Sequence, residues 1–180
     1  VYNTQKKKLG NYFEEEINIH KAIGQKISLN LSPNEAYNAG GKQALINGIS
    51  GNNKRYGDKE WLGFSGEDVE ITIKFEAPTN INTITTRFFN ANGQWIYSPK
   101  EINLQLKLED GRAISTRKKI ENTKSLLVDF NLNISQFYPE DKNLKATELK
   151  ITIPSYGIIP EGKQGTGNKP WTFIDEITIK

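Results

Sequence analysis

Short runs in which apolar and polar residues alternate dominate the sequence. The clearest run, residues 69–75, reads VEITIKF, with an apolar side chain at every second position. This period of two is typical of a β-strand with one buried and one solvated face. Similar alternation recurs in residues 27–31, 81–89, 102–108, 126–134, 149–153 and 173–179. No long helical period accompanies these runs, so the sequence predicts an antiparallel all-β fold.

Turn residues separate the runs. Residues 90–93 read NANG and residues 110–111 read DG, and both combinations favour tight turns. Pro78 marks a further turn, and Pro154 ends the run before it. The pattern therefore predicts a jelly-roll β-sandwich of about eight antiparallel strands.

One stretch, residues 37–68, breaks the alternation. It is rich in glycine and small polar residues, and it contains two large aromatics, Trp61 and Phe64. A connection of this length without its own period is uncommon unless it has a function. We therefore expect a rigid loop, pinned by an ion, that builds part of a ligand-binding rim.

The N-terminal segment fits two conformations. Phe13, Ile17 and His20 would share one face of a helix, whereas the alternation of Ile17 and Ile19 fits an extended chain, which we favour. Because the sequence does not begin with methionine, we expect a domain cut from a larger protein. Residues 1–26 would then link it to a preceding domain, and residues 27–180 would form the sandwich.

Composition excludes several classes of function. The 180 residues are 36% hydrophobic and 25% charged, as in a folded domain. A net charge of +3, scattered along the chain, does not favour nucleic acid as a partner. No apolar run is long enough to cross a membrane, and no basic patch carries apolar spikes that would bind a lipid surface. The sequence has no cysteine, which excludes disulfides and thiolate chemistry.

Catalytic chemistry finds little support. His20 is the only histidine, so a histidine-based triad or a zinc site would lack partners, and a structural role is favoured. Neighbouring acids could in principle hydrolyse glycosides, and the sequence offers Glu67-Asp68, Glu109-Asp110, Glu140-Asp141 and Asp175-Glu176. A sequence does not show two carboxylates facing each other across a cleft, and most of these pairs lie beside turns. We therefore predict a non-catalytic domain.

The tryptophans leave two interpretations open. Trp61, Trp95 and Trp171 all lie in or beside loops rich in glycine or asparagine. Each indole could plug an end of the core, which is the commoner use of tryptophan. Alternatively, it could pack on the C–H face of a sugar whose hydroxyls bind amide and guanidinium groups. Such groups are available nearby on Arg55, Asn90, Asn92 and Gln94.

Four separated segments resemble the discoidin, or coagulation factor V/VIII type C, family. In order, they read GGKQALINGISG, WLGFSGEDVEITIKF, ITTRFFNANGQWIYSPKEINLQL and PWTFIDEITIK. The sequence is most similar to the C-terminal discoidin-like domain of bacterial family 20 β-hexosaminidases, or chitobiases, which is similar to family 32 carbohydrate-binding modules. The resemblance covers residues 17–180 and implies a galactose-binding-like jelly-roll sandwich.

The resemblance also implies one structural calcium ion. Its ligands would be the side chains of Asn47, Asn52 and Glu176 and the backbone carbonyls of Ala44 and Ile49. Asn47 stands where the family often has an aspartate, so the site loses a negative charge that calcium prefers. Weaker calcium binding, a sodium ion or no ion would follow from this change.

Three loops would build the sugar site of such a domain. The corresponding residues are Arg55, Tyr56 and Trp61, then Asn90 and Trp95, and finally Tyr156 and Trp171. The implied partner is a glycan that contains N-acetylhexosamine or galactose, although the histidine typical of galactose-binding members is missing near Trp61.

The implied role is a non-catalytic module that holds a secreted, periplasmic or cell-surface bacterial glycoside hydrolase near its glycan. A neighbouring catalytic domain of the same chain would then be a second partner. The alternative is a structural or protein-interaction domain that packs on that catalytic domain without binding sugar.

Overall fold

A computed structural model describes residues 16–38, 40–121, 123–136, 138 and 144–180. Within this part of the chain the regular elements are ten β-strands and four short 3₁₀ turns. The strands are β1 (Lys26–Leu29), β2 (Leu62–Ser65), β3 (Val69–Asn80), β4 (Thr83–Phe89), β5 (Glu101–Leu108), β6 (Ala113–Lys119), β7 (Leu127–Asn133), β8 (Lys145–Ile153), β9 (Trp171–Ile174) and β10 (Thr178–Ile179). The 3₁₀ turns are Glu35–Tyr37, Lys42–Ile46, Asn92–Gln94 and Ile134–Gln136.

The strands form two antiparallel sheets. The first sheet has the order β1-β3-β8-β5-β6. In the second sheet β4 is central: β7 pairs with one edge, and β9 and β10 pair with successive parts of the other, with β2 beyond β9. The predicted all-β jelly-roll sandwich is confirmed.

The main core lies between the sheets and follows from the alternation in the sequence. Ile71 and Ile73 of β3 are fully buried on one side, and Ile84 and Phe88 of β4 are fully buried on the other. Their polar neighbours face outward, as a half-buried antiparallel strand requires.

Two strands and one turn differ from the sequence prediction. β2 lies inside the stretch predicted as a loop, because four residues bounded by glycine-rich chain are too short to show a period. β6 was missed because its sequence, AISTRKK, is polar; it is an edge strand beside β5 with no fully buried residue. Pro78 does not turn the chain but lies in β3, where the register with β8 shifts between Lys74 and Thr79. Proline fits there because a bulge does not need its missing N–H.

A second, smaller core covers the outer face of the second sheet. Phe88 belongs to the main core, whereas the next residue, Phe89, faces the other way and joins Phe173 of β9. The long loop folds over both rings, with Trp61 fully buried and Tyr37 and Tyr56 partly buried against them. The loop is thus fastened to the sheet by aromatic packing.

The chain between β9 and β10 bulges out of the sheet. Phe88 pairs with Ile174 and Thr85 pairs with Thr178, so the three residues 175–177 stand opposite the two residues 86 and 87. One extra residue on one strand is a β-bulge, which redirects side chains locally. The bulge carries two buried acids, Asp175 and Glu176.

The described part of the predicted N-terminal linker packs on the sandwich. Its residues 16–20 are not helical, and Phe13 lies outside the described residues. The N–H of Asn18 donates to the Gly48 carbonyl (2.8 Å), and Ala22 is fully buried. The folded unit therefore begins before residue 27. In the described part of the chain, no helix has the length and hydropathy needed to cross a membrane.

Candidate functional site

Trp61 is a plug and does not reach the surface. Its side chain has 0% exposure, and its indole lies edge-on to Phe89 with ring centroids 5.2 Å apart. The indole N–H donates to the Asn52 carbonyl (3.0 Å), which closes the loop over the ring. Gly51 lies so close that a Cβ there would stand 2.3 Å from the indole nitrogen. The expectation that Trp61 contacts a ligand is therefore corrected: it supports the loop from below.

Three partly buried aromatic rings surround Phe173 on the outer face of the second sheet. Tyr37 is the central one, since its ring centroid lies 6.0 Å from that of Tyr56 and 5.5 Å from that of Trp171. The structure thus brings together two predicted ligand-binding residues, Tyr56 and Trp171. It adds Tyr37, which sequence reasoning missed; its position at the start of the glycine-rich stretch was the only signal.

Trp95 is joined to this cluster through a backbone hydrogen bond with Trp171 and has an unusual backbone conformation. Its φ of 61° and ψ of 23° are left-handed, and it is the only described residue other than glycine with a positive φ. The Trp95 carbonyl accepts a hydrogen bond from the Trp171 N–H (2.7 Å), which holds the strained turn against β9. The indole packs on Gly165, where a Cβ would come within 2.4 Å of the ring. Trp95 remains partly exposed.

We call Tyr37, Tyr56, Trp95 and Trp171 the aromatic surface. Arg55 precedes Tyr56 and is exposed. A guanidinium next to aromatic rings is a suitable donor for sugar hydroxyls. The aromatic surface with Arg55 is the candidate binding site.

Asn90 is fully engaged in holding its own loop. Its Nδ2 donates to the carbonyls of Thr123 (3.1 Å) and Ser125 (3.0 Å). Its Oδ1 accepts from Asn92 Nδ2 (3.0 Å) and the Ser98 N–H (3.4 Å). A carboxamide has two donor hydrogens and two acceptor lone pairs, so none remains for a ligand. The prediction that Asn90 binds sugar is corrected to a structural role.

Tyr156 packs away from the other predicted aromatics. Its ring lies 4.7 Å from that of Tyr97, and the Lys100 ammonium stands 4.2 Å from its centroid. Burial raises the pKa of Tyr97, and the nearby Tyr156 hydroxyl adds to the shift. Lys100 also donates to the Tyr156 carbonyl (3.0 Å), so Tyr97 and Lys100 hold Tyr156.

A buried ion pair fastens the long loop to the bulge. Asp175 has 0% exposure, and its Oδ2 accepts from Arg87 Nε (3.0 Å) and the Gly51 N–H (3.0 Å). Burial raises the pKa of Asp175 to about 6, and the Arg87 guanidinium opposes that shift. The Arg87 guanidinium also donates hydrogen bonds to Asn53 Oδ1 (2.7 Å) and the Gly51 carbonyl (2.8 Å). One arginine therefore links β4, the bulge and the loop.

The residues implied as calcium ligands make other contacts. Asn47 Oδ1 accepts from the Ile49 N–H (2.8 Å) while its Nδ2 donates to Glu60 Oε2 (2.8 Å). Asn52 Oδ1 accepts from the Lys54 N–H (2.9 Å), and Ala44 is buried in the 3₁₀ turn Lys42–Ile46. Glu176, the one carboxylate of the set, faces His20.

These contacts leave Glu176 Oε2 buried without a hydrogen-bond partner among the described residues, and the implied calcium site stays a prediction. Calcium takes six to eight oxygens with carboxylates among them. No group of three His, Cys, Asp or Glu side chains that could hold a metal occurs within the residues that the structure describes.

The candidate catalytic acids are held in ion pairs. Glu140 and Asp141 lie outside the described residues. Among the others, Asp68 accepts the Ser155 N–H through Oδ1 (2.7 Å). The ion pairs are Glu67–Lys169, Glu109–Lys145, Asp110–Arg112 and Asp175–Arg87, and Glu176 Oε1 faces His20 Nε2.

Comparison with solved structures identifies the same fold in carbohydrate-binding modules. The family 32 carbohydrate-binding module from Streptococcus pneumoniae EndoD superposes with a TM-score of 0.52 and 14% identity, covering 90% of this chain and 99% of that one. A family 32 module of a family 31 glycoside hydrolase, bound to GalNAc, gives 0.51 and 15%, covering 86% and 97%. A family 32 module from Clostridium perfringens, in complex with GlcNAc-α-1,4-galactose, gives 0.51 and 12%, covering 95% and 100%. Neither a protein-family model nor a curated protein sequence matches the chain.

Proposed function

We propose that this domain binds a glycan on the aromatic surface, without catalysing its breakdown. The observation that carries this proposal is Trp95. A left-handed tryptophan costs roughly 1 kcal/mol or more, and such strain concentrates at binding sites. Here it leaves the indole partly exposed, and the Trp95 backbone is hydrogen-bonded to Trp171, whose ring lies 5.5 Å from that of Tyr37.

The residue types of the site suit a sugar. Tyrosine and tryptophan present large apolar faces with a polar edge, and a pyranose ring offers a matching patch of C–H groups. Arg55 adds hydrogen-bond donors that the rings lack. Because the site is a shallow surface, the affinity for a monosaccharide is expected to be weak, in the millimolar range.

An N-acetylhexosamine is the ligand class that we favour. Modules with this fold are seen with GalNAc and with GlcNAc-α-1,4-galactose. The sequence resemblance to the accessory domain of β-hexosaminidases points to the same sugars. Galactose alone is a weaker candidate, because no histidine stands at the aromatic surface: the single histidine is buried elsewhere, against Glu176.

Titration with N-acetylglucosamine, N-acetylgalactosamine and galactose tests the proposal. Binding is followed by tryptophan fluorescence and by calorimetry. Trp95→Ala and Trp171→Ala are expected to weaken binding about tenfold or more, which corresponds to roughly 1.4 kcal/mol. Trp61→Phe serves as the matched control, because it removes an indole that cannot touch a ligand. Failure of all three sugars and of a glycan array at millimolar concentration overturns the proposal.

Quencher accessibility gives an independent check. With Trp61 buried and two indoles partly exposed, acrylamide should quench only part of the emission, and a bound sugar should reduce that part. Sugar binding without such protection would place the site away from the aromatic surface.

The larger role follows from non-catalytic binding. A weak module on a bacterial glycoside hydrolase keeps the enzyme near its glycan by raising the local concentration. Such a parent enzyme would work outside the cytoplasm, in a secreted, periplasmic or surface-attached state. The β-hexosaminidase resemblance makes a chitobiase the favoured parent, and removal of the domain should slow hydrolysis of insoluble glycan more than that of a soluble substrate.

Docking on the neighbouring catalytic domain is the second candidate function. It is favoured by two isoleucines of the N-terminal segment, Ile17 and Ile19, which are 58% and 84% exposed. These residues lie apart from the aromatic surface, beside residues 48–53 of the loop. Replacement of both by serine should leave sugar binding unchanged, so the two functions can be tested separately.

A further inference from the structure

The turn between β4 and β5 holds Trp95 in its left-handed conformation through a set of hydrogen bonds. The Trp95 N–H donates to the Asn92 carbonyl (3.1 Å), and the Ile96 N–H donates to the Ala91 carbonyl (3.2 Å). From the other side, the Trp171 N–H donates to the Trp95 carbonyl (2.7 Å). A left-handed residue other than glycine persists only where its surroundings determine its conformation. The presentation of the partly exposed indole therefore depends on the bonds of this turn.

The side chain of Asn92 takes part in the same turn. Its Nδ2 donates to the Ile96 carbonyl (3.1 Å) and to Asn90 Oδ1 (3.0 Å). The backbone carbonyl of Asn92 thus accepts the N–H of Trp95, while its carboxamide binds the carbonyl of the residue that follows Trp95. Asn92 therefore closes the turn around Trp95 with its backbone and with its side chain.

These contacts determine which end of the Asn92 carboxamide faces the turn. The Ile96 carbonyl is an acceptor, and so is Asn90 Oδ1, because Asn90 uses its own Nδ2 as a donor elsewhere. Only an NH₂ group has the two donor hydrogens that both acceptors need. Both hydrogens of Asn92 are then used, and none remains to donate to a sugar hydroxyl. The geometry suits support of Trp95 rather than donation to a ligand.

Asn90 extends the support to a third part of the chain. Its Nδ2 donates to the carbonyls of Thr123 (3.1 Å) and Ser125 (3.0 Å), and its N–H donates to the Leu126 carbonyl (2.7 Å). These three residues lie in the connection between β6 and β7. The turn is thus anchored to β9 through Trp95 and to the β6–β7 connection through Asn90, with Asn92 joining the two anchors.

We infer that Asn92 is a positioning residue of the aromatic surface. Its carboxamide holds the backbone around Trp95 and links it through Asn90 to the connection between β6 and β7. The inference rests on the proposed function, because the position of this indole affects binding only if the aromatic surface holds the sugar. The hold on the turn can be measured without any sugar, so the two ideas can fail separately.

Replacement of Asn92 by aspartate tests the effect on binding. Asn92→Asp keeps the size of the side chain but sets a carboxylate, which has no donor, against two acceptors. Calorimetric titration with N-acetylglucosamine and N-acetylgalactosamine should show binding weakened about fivefold or more. Asn131→Asp is the matched control: this exposed asparagine of β7 has a carboxamide that bonds none of the described residues, so affinity should not change. Equal affinities of the two variants overturn the inference.

The indole signals of the tryptophans test the hold on the turn directly. The chain has three tryptophans, so a ¹H–¹⁵N spectrum contains three indole signals, and Trp95→Phe assigns one of them. In Asn92→Asp the Trp95 signal should move, whereas the signal of Trp61, buried in the second core, should stay in place. An unmoved Trp95 signal overturns the inference. A moved signal in a domain that binds no sugar supports the hold on the turn and contradicts the proposed function alone.

A second variant covers the case in which Asn92→Asp does not fold. Asn92→Ala removes both donors without adding a charge. It should weaken sugar binding and move the Trp95 signal in the same way, again with the Trp61 signal in place. If neither the affinity nor the Trp95 signal changes in Asn92→Ala, the carboxamide does not position the indole and the inference is wrong.

Discussion

At the residue scale, a glycine determines how Trp95 is presented. Gly165 has a φ of +82°, and a Cβ there would stand 2.4 Å from the Trp95 ring. Gly165→Ala is therefore expected to displace the indole and to weaken sugar binding several-fold, in addition to the backbone strain of roughly 1 kcal/mol. Calorimetric titration with an N-acetylhexosamine measures the loss.

A nearby glycine provides the matched control for this substitution. Gly167 has a φ of +84° and no atom within 4 Å of an added Cβ. Gly167→Ala should therefore cost the same strain and leave sugar binding unchanged. If both variants bind equally well, the orientation of Trp95 does not matter for the site.

The ion pair of Arg87 shows how burial determines the contribution of such a pair to the free energy of unfolding. Removing one partner of a buried pair leaves the other charge unpaired, at a cost of about 3–5 kcal/mol. We expect Arg87→Met to lower the free energy of unfolding by about 3 kcal/mol at pH 7.5. Arg117→Met is the control: Arg117 faces Glu101 at 3.7 Å on the surface, with 63% exposure, and should cost less than about 1 kcal/mol. Urea unfolding of both variants measures the difference.

The loss in Arg87→Met should also depend on pH. Burial already raises the pKa of Asp175 to about 6, above its unfolded value, and without Arg87 the pKa rises further. The native variant then binds more protons than the unfolded chain, so its stability falls as the pH rises through that range. The deficit relative to the wild-type protein should therefore be smaller at pH 5 than at pH 8. A pH-independent deficit would mean that Asp175 is not the group left unpaired.

At the element scale, strands could be predicted from the sequence wherever one buried face produces an alternation of apolar and polar residues. β3, β5 and β7 place alternate residues in the core; β5 and β7 appear within one residue of their predicted bounds, whereas β3 continues five residues beyond its predicted end at Phe75. β6 was not predicted because it is a polar edge strand in which Ile114 alone packs on the main core, so its sequence lacks a clear apolar alternation. β2 was not predicted because a strand of four residues contains only two full periods of the alternation.

The long loop packs on the second sheet through aromatic contacts that could not be read from the sequence. Phe89 and Phe173 lie beside core residues in the sequence, and the pattern does not reveal that they face the opposite side of the sheet. Trp61 covers them and is therefore buried, whereas Trp171 lies on the rim. Trp61 and Trp171 carry the same indole side chain, and only tertiary packing distinguishes the buried residue from the partly exposed one.

Truncation of the two tryptophans should separate these roles. Trp61→Ala removes a fully buried indole from the second core and is expected to cost about 3–5 kcal/mol, as large-to-small core substitutions do. Trp171→Ala removes a partly exposed indole and should cost less than half of that while weakening sugar binding about tenfold or more. Urea unfolding and titration on the same samples give both quantities. A Trp61→Ala variant as stable as Trp171→Ala would contradict the assignment of Trp61 as a plug.

At the scale of the whole molecule, the two cores share their strands. β4 contributes Phe88 to the main core and Phe89 to the second core, and β9 contributes Ile174 and Phe173 in the same way. A change of register in these strands would disrupt both cores at once, because the alternation places each neighbour on the opposite face. The packing of the long loop on the outer face of the second sheet is thus coupled to the main core of the sandwich.

Cooperative unfolding is the expected consequence of this coupling. Emission from Trp61 reports on the second core, and far-UV circular dichroism reports on the sheets. Their midpoints in urea should coincide, as in a two-state transition. Trp61 must be isolated for this purpose in a Trp95→Phe, Trp171→Phe variant. An earlier fluorescence transition would mean that the long loop detaches on its own, as a separate unit of low local stability. Tyr37, Arg55 and Tyr56, which lie in that loop, would then be mobile while the sheets stay folded.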